Sequence, residues 1–221
     1  MEAVIKVGGS LAEYPSALRT LCQALSSMVQ SHRIMIIPGG GKFADTVREA
    51  YSTFSLDDTL AHKMALLAMD QYGLLLHGIT PNSATTYSIE EAKKMARAVL
   101  PIFLPSKFMF SKNPLENSWN VTSDSIAAYI AGIISAKKLI LAKDVDGMFT
   151  LDPKRHRDVA LIERISVEEL QTLSQATCVD KALPHILSET RTECYIVNGM
   201  HPERVRALLE GKQAISTRII A

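Results

Sequence analysis

The sequence has few cysteines and lacks any stretch that would carry it into or across a membrane. Cys22, Cys178 and Cys194 are isolated, odd in number and without CxxC spacing, which argues against disulfides and a structural zinc site and favours buried thiols in a reducing compartment. No apolar run reaches the roughly 20 residues that span a bilayer. The chain also does not open on a basic segment followed by an apolar one. We therefore expect a cytoplasmic protein that makes no membrane contact.

The chain also lacks an excess of either positive or negative charge. The 24 Lys and Arg residues nearly balance 23 Asp and Glu residues, and the two signs are mixed along the chain. Nucleic-acid binding calls for a basic stripe, so we expect no nucleic-acid partner. The sequence contains neither a GxxxxGK[ST] P-loop nor a GxGxxG dinucleotide fingerprint. Apolar residues are abundant, at 47% of 221 residues, which is enough for a substantial core.

Apolar, β-branched runs alternate with segments whose apolar residues have helical spacing. Alternating strands and helices form a mainly parallel sheet covered on both faces. Without a repeat or a linker, residues 1–221 are expected to form one α/β domain, and Asp146-Gly147 followed by residues 148–150 suggests a hairpin. Strands are expected near residues 3–7, 33–37, 98–104, 138–142, 193–197 and 217–220, and helices near residues 15–29, 42–51, 57–73, 122–135, 167–173, 182–189 and 202–209.

Two glycine-rich loops each follow a predicted strand and lead into a helix. They contain Gly8-Gly9 and Gly39-Gly40-Gly41. Loops of this kind present backbone N–H groups to an anion, although a common turn or a flexible loop tip is the alternative for each. Lys6 lies near the carboxyl end of the first predicted strand. A lysine in an otherwise apolar strand is costly to bury without an anionic partner. Two such loops and a lysine favour a protein that holds two phosphorylated groups face to face, as phosphoryl transfer requires.

Two further segments carry polar groups near the ends of predicted elements. In Asn120-Val121-Thr122-Ser123-Asp124, capping by Thr122 or Ser123 explains Asp124 in the first turn of a helix. Capping leaves Asn120 and the single tryptophan, Trp119, without a reason. The segment 143–147 ends a strand at the edge where α/β folds bind ligands. Neither segment by itself identifies a binding site.

Taken in order, six segments resemble the amino acid kinase family over essentially the whole chain. They are KVGGSL, PGGG, NVTSDSIAAYIAG, LAKDVDGMFTLDP, CVDKAL and STRIIA. The resemblance implies a three-layer αβα sandwich around a largely parallel sheet. It also implies an ATP-dependent kinase that uses Mg²⁺, with the acceptor on the side of residues 1–137 and ATP on the side of residues 138–221. Family members are commonly homo-oligomers.

The resemblance also assigns roles to individual residues, with no residue as a metal ligand. Lys6 matches the lysine that bridges the transferred phosphoryl group, and Asp124 matches the aspartate that orients the catalytic lysines. Lys181 matches the second catalytic lysine, with Lys154 as a rival, because Cys178-Val179-Asp180 replaces the usual glycine-containing turn. The ATP-binding residues are expected to be Lys6, Gly8, Gly9, Ser10, Lys143, Asp144, Val145, Asp146, Gly147, Asp152, Pro153 and Lys154. The acceptor-binding residues are expected to be Gly39, Gly40, Gly41, His62, Asn120 and Thr122.

Within the family, the chain looks most similar to the kinases of methanofuran biosynthesis, whose acceptor, an aminomethylfuran-methyl phosphate, already carries a phosphate. This similarity implies phosphoryl transfer to a phosphomonoester to give a diphosphate. His62 is a candidate contact for the acceptor phosphate, with an ordinary half-buried helix histidine as the alternative and Lys63 and Arg48 as weaker candidates. Isopentenyl phosphate, uridylate and carboxylate acceptors stay open. A protein that binds ATP and stores molybdate or tungstate is the alternative from another class, but Lys6, Asp124 and a second lysine favour a kinase.

Overall fold

Strands and helices alternate along most of the chain, as the sequence predicts. The computed structural model describes residues 1–151, 156, 159–173 and 178–220. The strands are β1 (Ala3–Val7), β2 (Ile34–Pro38), β3 (Ser83–Thr86), β4 (Leu100–Phe103), β5 (Lys138–Lys143), β6 (Met148–Phe149), β7 (Leu161–Ile162), β8 (Arg164–Ser166), β9 (Glu193–Asn198) and β10 (Thr217–Ile220). The helices are α1 (Pro15–Met28), α2 (Gly41–Phe54), α3 (Asp58–Ile79), α4 (Ile89–Met95), α5 (Ser106–Lys112), α6 (Ser123–Ile133), α7 (Val167–Thr172), α8 (Leu183–Thr190) and α9 (Pro202–Leu209).

Eight strands form one sheet in the order β3-β4-β2-β1-β5-β9-β10-β8. The pairs are parallel except for β9 with β10, which confirms the predicted largely parallel sheet. From β1 the chain first builds the side that starts with β2, and later returns to build the side that starts with β5. This reversal leaves a crevice beyond the carboxyl ends of β1, β2 and β5, where open α/β sheets bind ligands.

Both faces of the sheet are buried, which gives the three layers of an αβα sandwich. Ala3, Ile5 and Val7 pack into a core shared with α1 and α9. Val4, on the opposite face, packs into a core shared with α6 and α8. Because side chains alternate along a strand, Lys6 shares the face of Val4 and lies under α6. None of the helices in the described part of the chain is both long and apolar enough to cross a membrane.

The structure differs from the sequence prediction mainly in short strands. Strand β3 was not predicted, because Ser83–Thr86 is polar and lies at the edge of the sheet. Asp146-Gly147 does not turn the expected hairpin directly: β6 pairs antiparallel with β7 in a separate two-stranded sheet, more than ten residues further along the chain. Helix α3 continues to Ile79, past its predicted end near Gly73.

Candidate active site

One buried carboxylate holds two lysine side chains at the centre of the sheet. The Nζ atom of Lys6 lies 2.7 Å from Oδ1 of Asp124, and the Nζ atom of Lys143 lies 2.7 Å from Oδ2. The three side chains are only 4–11% exposed. Lys6 and Lys143 come from the adjacent strands β1 and β5, and Asp124 comes from the first turn of α6. The arrangement fixes two otherwise flexible ammonium groups relative to each other.

The electrostatics of this cluster follow from its burial. Burial alone would raise the pKa of Asp124, but attraction to Lys143 and then Lys6 outweighs it and holds that pKa at about 2. Burial lowers the pKa of Lys6, and the attraction to Asp124 offsets this only in part. For Lys143 burial acts in the same direction, but Asp124 more than compensates and its pKa is raised. With all three groups ionised, the cluster carries one net positive charge, which suits an anionic ligand.

The two glycine loops pack directly against each other. A Cβ atom on Gly9 would lie 2.2 Å from the Gly41 nitrogen, and one on Gly39 would lie 2.6 Å from the Gly9 nitrogen. The Gly8 N–H donates to the Ala142 carbonyl and the Gly39 N–H donates to the Val7 carbonyl, both at 2.8 Å. Gly8 and Gly39 therefore use their N–H groups within the fold, whereas Gly9, Gly40 and Gly41 line the neighbouring cleft.

A cleft of about 990 Å³ opens above the lysine pair and between the predicted acceptor and ATP segments. Its volume lies at the upper end of the range of small-molecule sites. The lining includes both lysines, the glycine loops and the segment 119–124. Helix α2 begins at Gly41, so its positive N-terminal end also lies at the cleft. Some of the predicted site residues, among them Lys6, Asp124 and Lys143, thus come together from both halves of the chain.

On the predicted acceptor side, His62 and Trp119 line the cleft. His62 is 7% exposed, and burial lowers its pKa more than its hydrogen bond to the Ser118 backbone raises it. The Arg48 guanidinium lies 5.0 Å from the centre of the Trp119 ring, and the Tyr51 ring packs edge-on against it. These contacts fix the indole in the wall of the cleft. They also give Trp119 the structural role that its sequence context left open.

On the predicted ATP side, some of the expected residues line the cleft and others do not. Lys143 and the exposed Lys181 line the cleft, and Ser10 donates to Asp144 at 2.7 Å, which joins the first glycine loop to the end of β5. The Asp146 carboxylate accepts from Asn198 and Arg204. Val145 and Gly147 belong to the same turn, which follows β5. Asp152, Pro153 and Lys154 lie outside the described residues.

The cleft residues that the structure describes do not form a protein-built site for Mg²⁺. Among the described residues, no group of three or more His, Cys, Asp and Glu side chains is placed to hold a metal ion. The two oxygens of Asp124 each face a lysine. Mg²⁺ is commonly held by substrate phosphates and water with one or two carboxylates, so an ion here would depend on the phosphates of a bound nucleotide.

Two residues have a place in the site that sequence reasoning did not give them. Lys143 was expected to contact ATP, but it is also the lysine that pairs with Asp124, whereas Lys181 lies at the exposed edge of the cleft. Asp180 was treated only as a departure from the family turn, but it bonds to the start of α6. Its position three residues before Leu183, with Pro184 following, is the spacing of a helix N-terminus and was a usable signal.

Comparison with known proteins places these features in a family. Residues 1–198 match the family described as "Amino acid kinase family". The [5-(aminomethyl)furan-3-yl]methyl phosphate kinase of Methanocaldococcus jannaschii is 34% identical over 98% of this chain and 97% of its own length. The crystal structure of uridylate kinase from Archaeoglobus fulgidus superposes with a TM-score of 0.79 at 21% identity, covering 99% of this chain and all of that one. An isopentenyl phosphate kinase from T. acidophilum superposes with a TM-score of 0.65 at 18% identity, over 99% of this chain and 100% of that one. The chain belongs to the amino acid kinase family.

Proposed function

We propose that this protein is an ATP-dependent kinase whose acceptor is [5-(aminomethyl)furan-3-yl]methyl phosphate, which it converts to a diphosphate. The observation that carries the proposal is the pair of lysines held by Asp124 at the base of a cleft that residues of both glycine loops line. The choice of acceptor is supported by the 34% identity to the M. jannaschii enzyme over nearly the whole of both chains.

The geometry suits phosphoryl transfer, which depends on alignment and on neutralising charge on the phosphoryl oxygens. Lys6 and Lys143 offer two ammonium groups from adjacent strands. Asp124 is engaged by both and therefore acts as their support rather than as a base. We propose that ATP lies on the side of residues 138–221 and the acceptor on the side of residues 1–137 of a single domain, with the transferred group near Lys6.

The wall around Trp119 suits a flat acceptor that carries charges of both signs. Trp119 lines the cleft and offers an aromatic side chain for contact with a flat ligand. Arg48, which lies over the indole, and His62 line the same cleft and are the proposed partners for a phosphate. Glu13 lines the same cleft and offers a carboxylate to an ammonium group. A furan ring with one phosphate and one aminomethyl group matches these three chemistries.

Three further properties stay predictions. Mg²⁺ is expected with the nucleotide, and a cytoplasmic location is expected from the sequence. We also propose that the protein is a homo-oligomer, because Leu60, Leu67 and Leu74 repeat every seven residues along α3 and are 44%, 47% and 52% exposed. A second copy of the same helix face is the simplest cover for such a stripe.

An ADP-release assay across several acceptors tests the proposed function. The panel contains the furan phosphate, uridylate, isopentenyl phosphate and N-acetylglutamate, each with ATP and Mg²⁺. We expect the highest kcat/KM with the furan phosphate, and a loss of at least about a hundred-fold in Lys6→Ala and Asp124→Ala, as for removal of one positioned donor. Turnover confined to N-acetylglutamate would exclude a phosphate acceptor. Tight binding of ATP and molybdate without any turnover would favour oxyanion storage.

A further inference from the structure

The Asp180 carboxylate bonds to the first turns of two helices at once. It accepts from the backbone N–H and hydroxyl of Thr122, each at 2.8 Å, and from the Ser125 N–H at 3.0 Å and the Ser125 hydroxyl. It also accepts from the Leu183 N–H at 3.0 Å. The first four donors belong to the start of α6 and the last to the start of α8.

In neither helix does the side chain at the N-cap position accept a hydrogen bond from the first N–H groups. Thr122 occupies the N-cap of α6, but its hydroxyl donates to Asp180 instead of accepting from its own helix. Ala182 occupies the N-cap of α8 and has no polar side chain. The first N–H groups of a helix need acceptors, and for both helices Asp180 supplies one. One carboxylate therefore fixes the two helix starts relative to each other.

This shared cap lies next to the reacting groups. Asp124 is one residue before Ser125, so the turn that Asp180 holds is the turn that presents a carboxylate to Lys6 and Lys143. Asp180 also lies close enough to add to the negative field at both lysines. On its other side, it directly precedes Lys181 at the edge of the cleft. The Ala182 N–H donates to the Asn120 carbonyl at 3.1 Å and joins the same two segments through the backbone.

We propose that Asp180 is a positioning residue for phosphoryl transfer: it sets the first turn of α6, and through Asp124 it sets the two ammonium groups. The inference rests on the proposed kinase function. A shift of about 1 Å in a catalytic group can cost on the order of a hundred-fold in rate. A cap that controls the position of Asp124 therefore affects kcat far more than its contribution to overall stability would suggest.

The chain offers a matched control in Asp70, a buried carboxylate with the same kind of partner. Asp70 accepts from the N–H of Ser106 at 3.2 Å and from the Ser106 hydroxyl at the start of α5. Its bonds resemble those of Asp180 to Ser125, but they support a helix start outside the cleft. Asp70→Asn therefore measures what the loss of such a cap does to folding alone.

The experiment compares Asp180→Asn with Asp70→Asn in the full chain. We expect both variants to lower Tm by a few degrees, but only Asp180→Asn to lower kcat, by about ten- to a hundred-fold. Hydrogen exchange should become faster at the starts of both α6 and α8 in Asp180→Asn and at neither in Asp70→Asn. A kcat within about two-fold of wild type in a folded Asp180→Asn variant would overturn the inference.

Two further outcomes keep this test separate from the proposed function. If wild type does not turn over any acceptor, the proposed function fails, and the exchange result alone decides whether Asp180 couples the two helix starts. If Asp180→Asn does not fold, Ser125→Ala removes one donor from the same cap, and we expect it to fold with a Tm lower by a few degrees and to have a lower kcat. An unchanged kcat in Ser125→Ala would then count against the inference.

Discussion

At the scale of single residues, the structure raises the question of which lysine works with Lys6. Lys143 is buried and bound to Asp124, whereas Lys181 lies exposed at the edge of the cleft. A buried ammonium with a fixed partner is already positioned for charge developing on a transferred phosphoryl group. An exposed lysine would have to lose its conformational freedom on each turnover. The geometry therefore favours Lys143 as the second lysine of the reaction.

Replacing each lysine by methionine, which keeps an apolar chain of similar length, tests this assignment. We expect Lys143→Met to lower kcat by about a hundred-fold or more, because a positioned donor is lost. We expect Lys181→Met to have a clearly smaller effect on kcat. Steady-state kinetics with saturating ATP and acceptor measure both. The opposite order of the two effects would restore Lys181 to the role that the sequence resemblance gave it.

The sequence could not predict that Lys6 and Lys143 share Asp124, and the reason is physical. Lys6 lies opposite Leu141 in the parallel register of β1 and β5. Lys143 is two residues after Leu141 and therefore on the same face. Both lysines were identified at strand ends, but which strands are neighbours is decided by the crossover from β4 to β5, which places β5 beside β1. Nothing local in the sequence encodes that order.

At the scale of elements, most strands and helices could be predicted because their patterns are strong and consistent. Strand β1 and helix α9 have the predicted bounds, and Pro15 begins α1 as expected. The elements that were missed are short. They include β3, which is polar, β7 and β8, which have two and three residues, and the seven-residue helix α5. An element of so few residues does not show enough of a hydrophobic period to be recognised in the sequence. Their existence depends on tertiary pairing.

The glycine loops have a structural role that the sequence analysis did not give them. The loops were expected to be bare so that an anion could approach the backbone. In the structure, glycine is required at positions 9 and 39 because the two loops touch and leave no room for a Cβ atom, whereas the approach of an anion stays a prediction. This second reason could not be read from sequence, since the loops are about 30 residues apart and meet only when β1 pairs with β2.

Gly9→Ala tests the requirement for close contact, with Gly78→Ala as its control. The added methyl group at Gly9 would collide with the backbone of Gly41, so we expect Tm to fall by about 3–10 °C and kcat/KM to fall as the loops separate. In the described part of the chain nothing lies within 4 Å of a Cβ atom on Gly78, and alanine favours a helix. We expect Gly78→Ala to leave Tm unchanged or slightly higher. Wild-type Tm and activity in Gly9→Ala would show that the loops can move apart at no cost.

At the scale of the whole molecule, the central position of β1 explains why the site draws on both halves of the chain. The sheet grows in one direction through β2 and in the other through β5. The carboxyl ends of these strands meet at the cleft. Above it, Asp180 joins the starts of α6 and α8, and Asp124 ties α6 to β1 and β5. The proposed donor and acceptor sides are therefore two sides of one sheet that share a central strand.

The leucine stripe on α3 leads to the final prediction, which concerns assembly. Leu60, Leu67 and Leu74 lie on one helix face and are each about half exposed. Two copies of this face can pack across a two-fold axis, because each leucine then meets the equivalent stripe. We expect light scattering after gel filtration to show a dimer or larger assembly for wild type and a shift toward monomer for Leu67→Glu. Ile215→Glu, at an equally exposed apolar residue that precedes β10 on the other side of the sheet, should leave the mass unchanged. A monomeric wild type, or an unchanged mass in Leu67→Glu, would show that α3 is not the assembly surface.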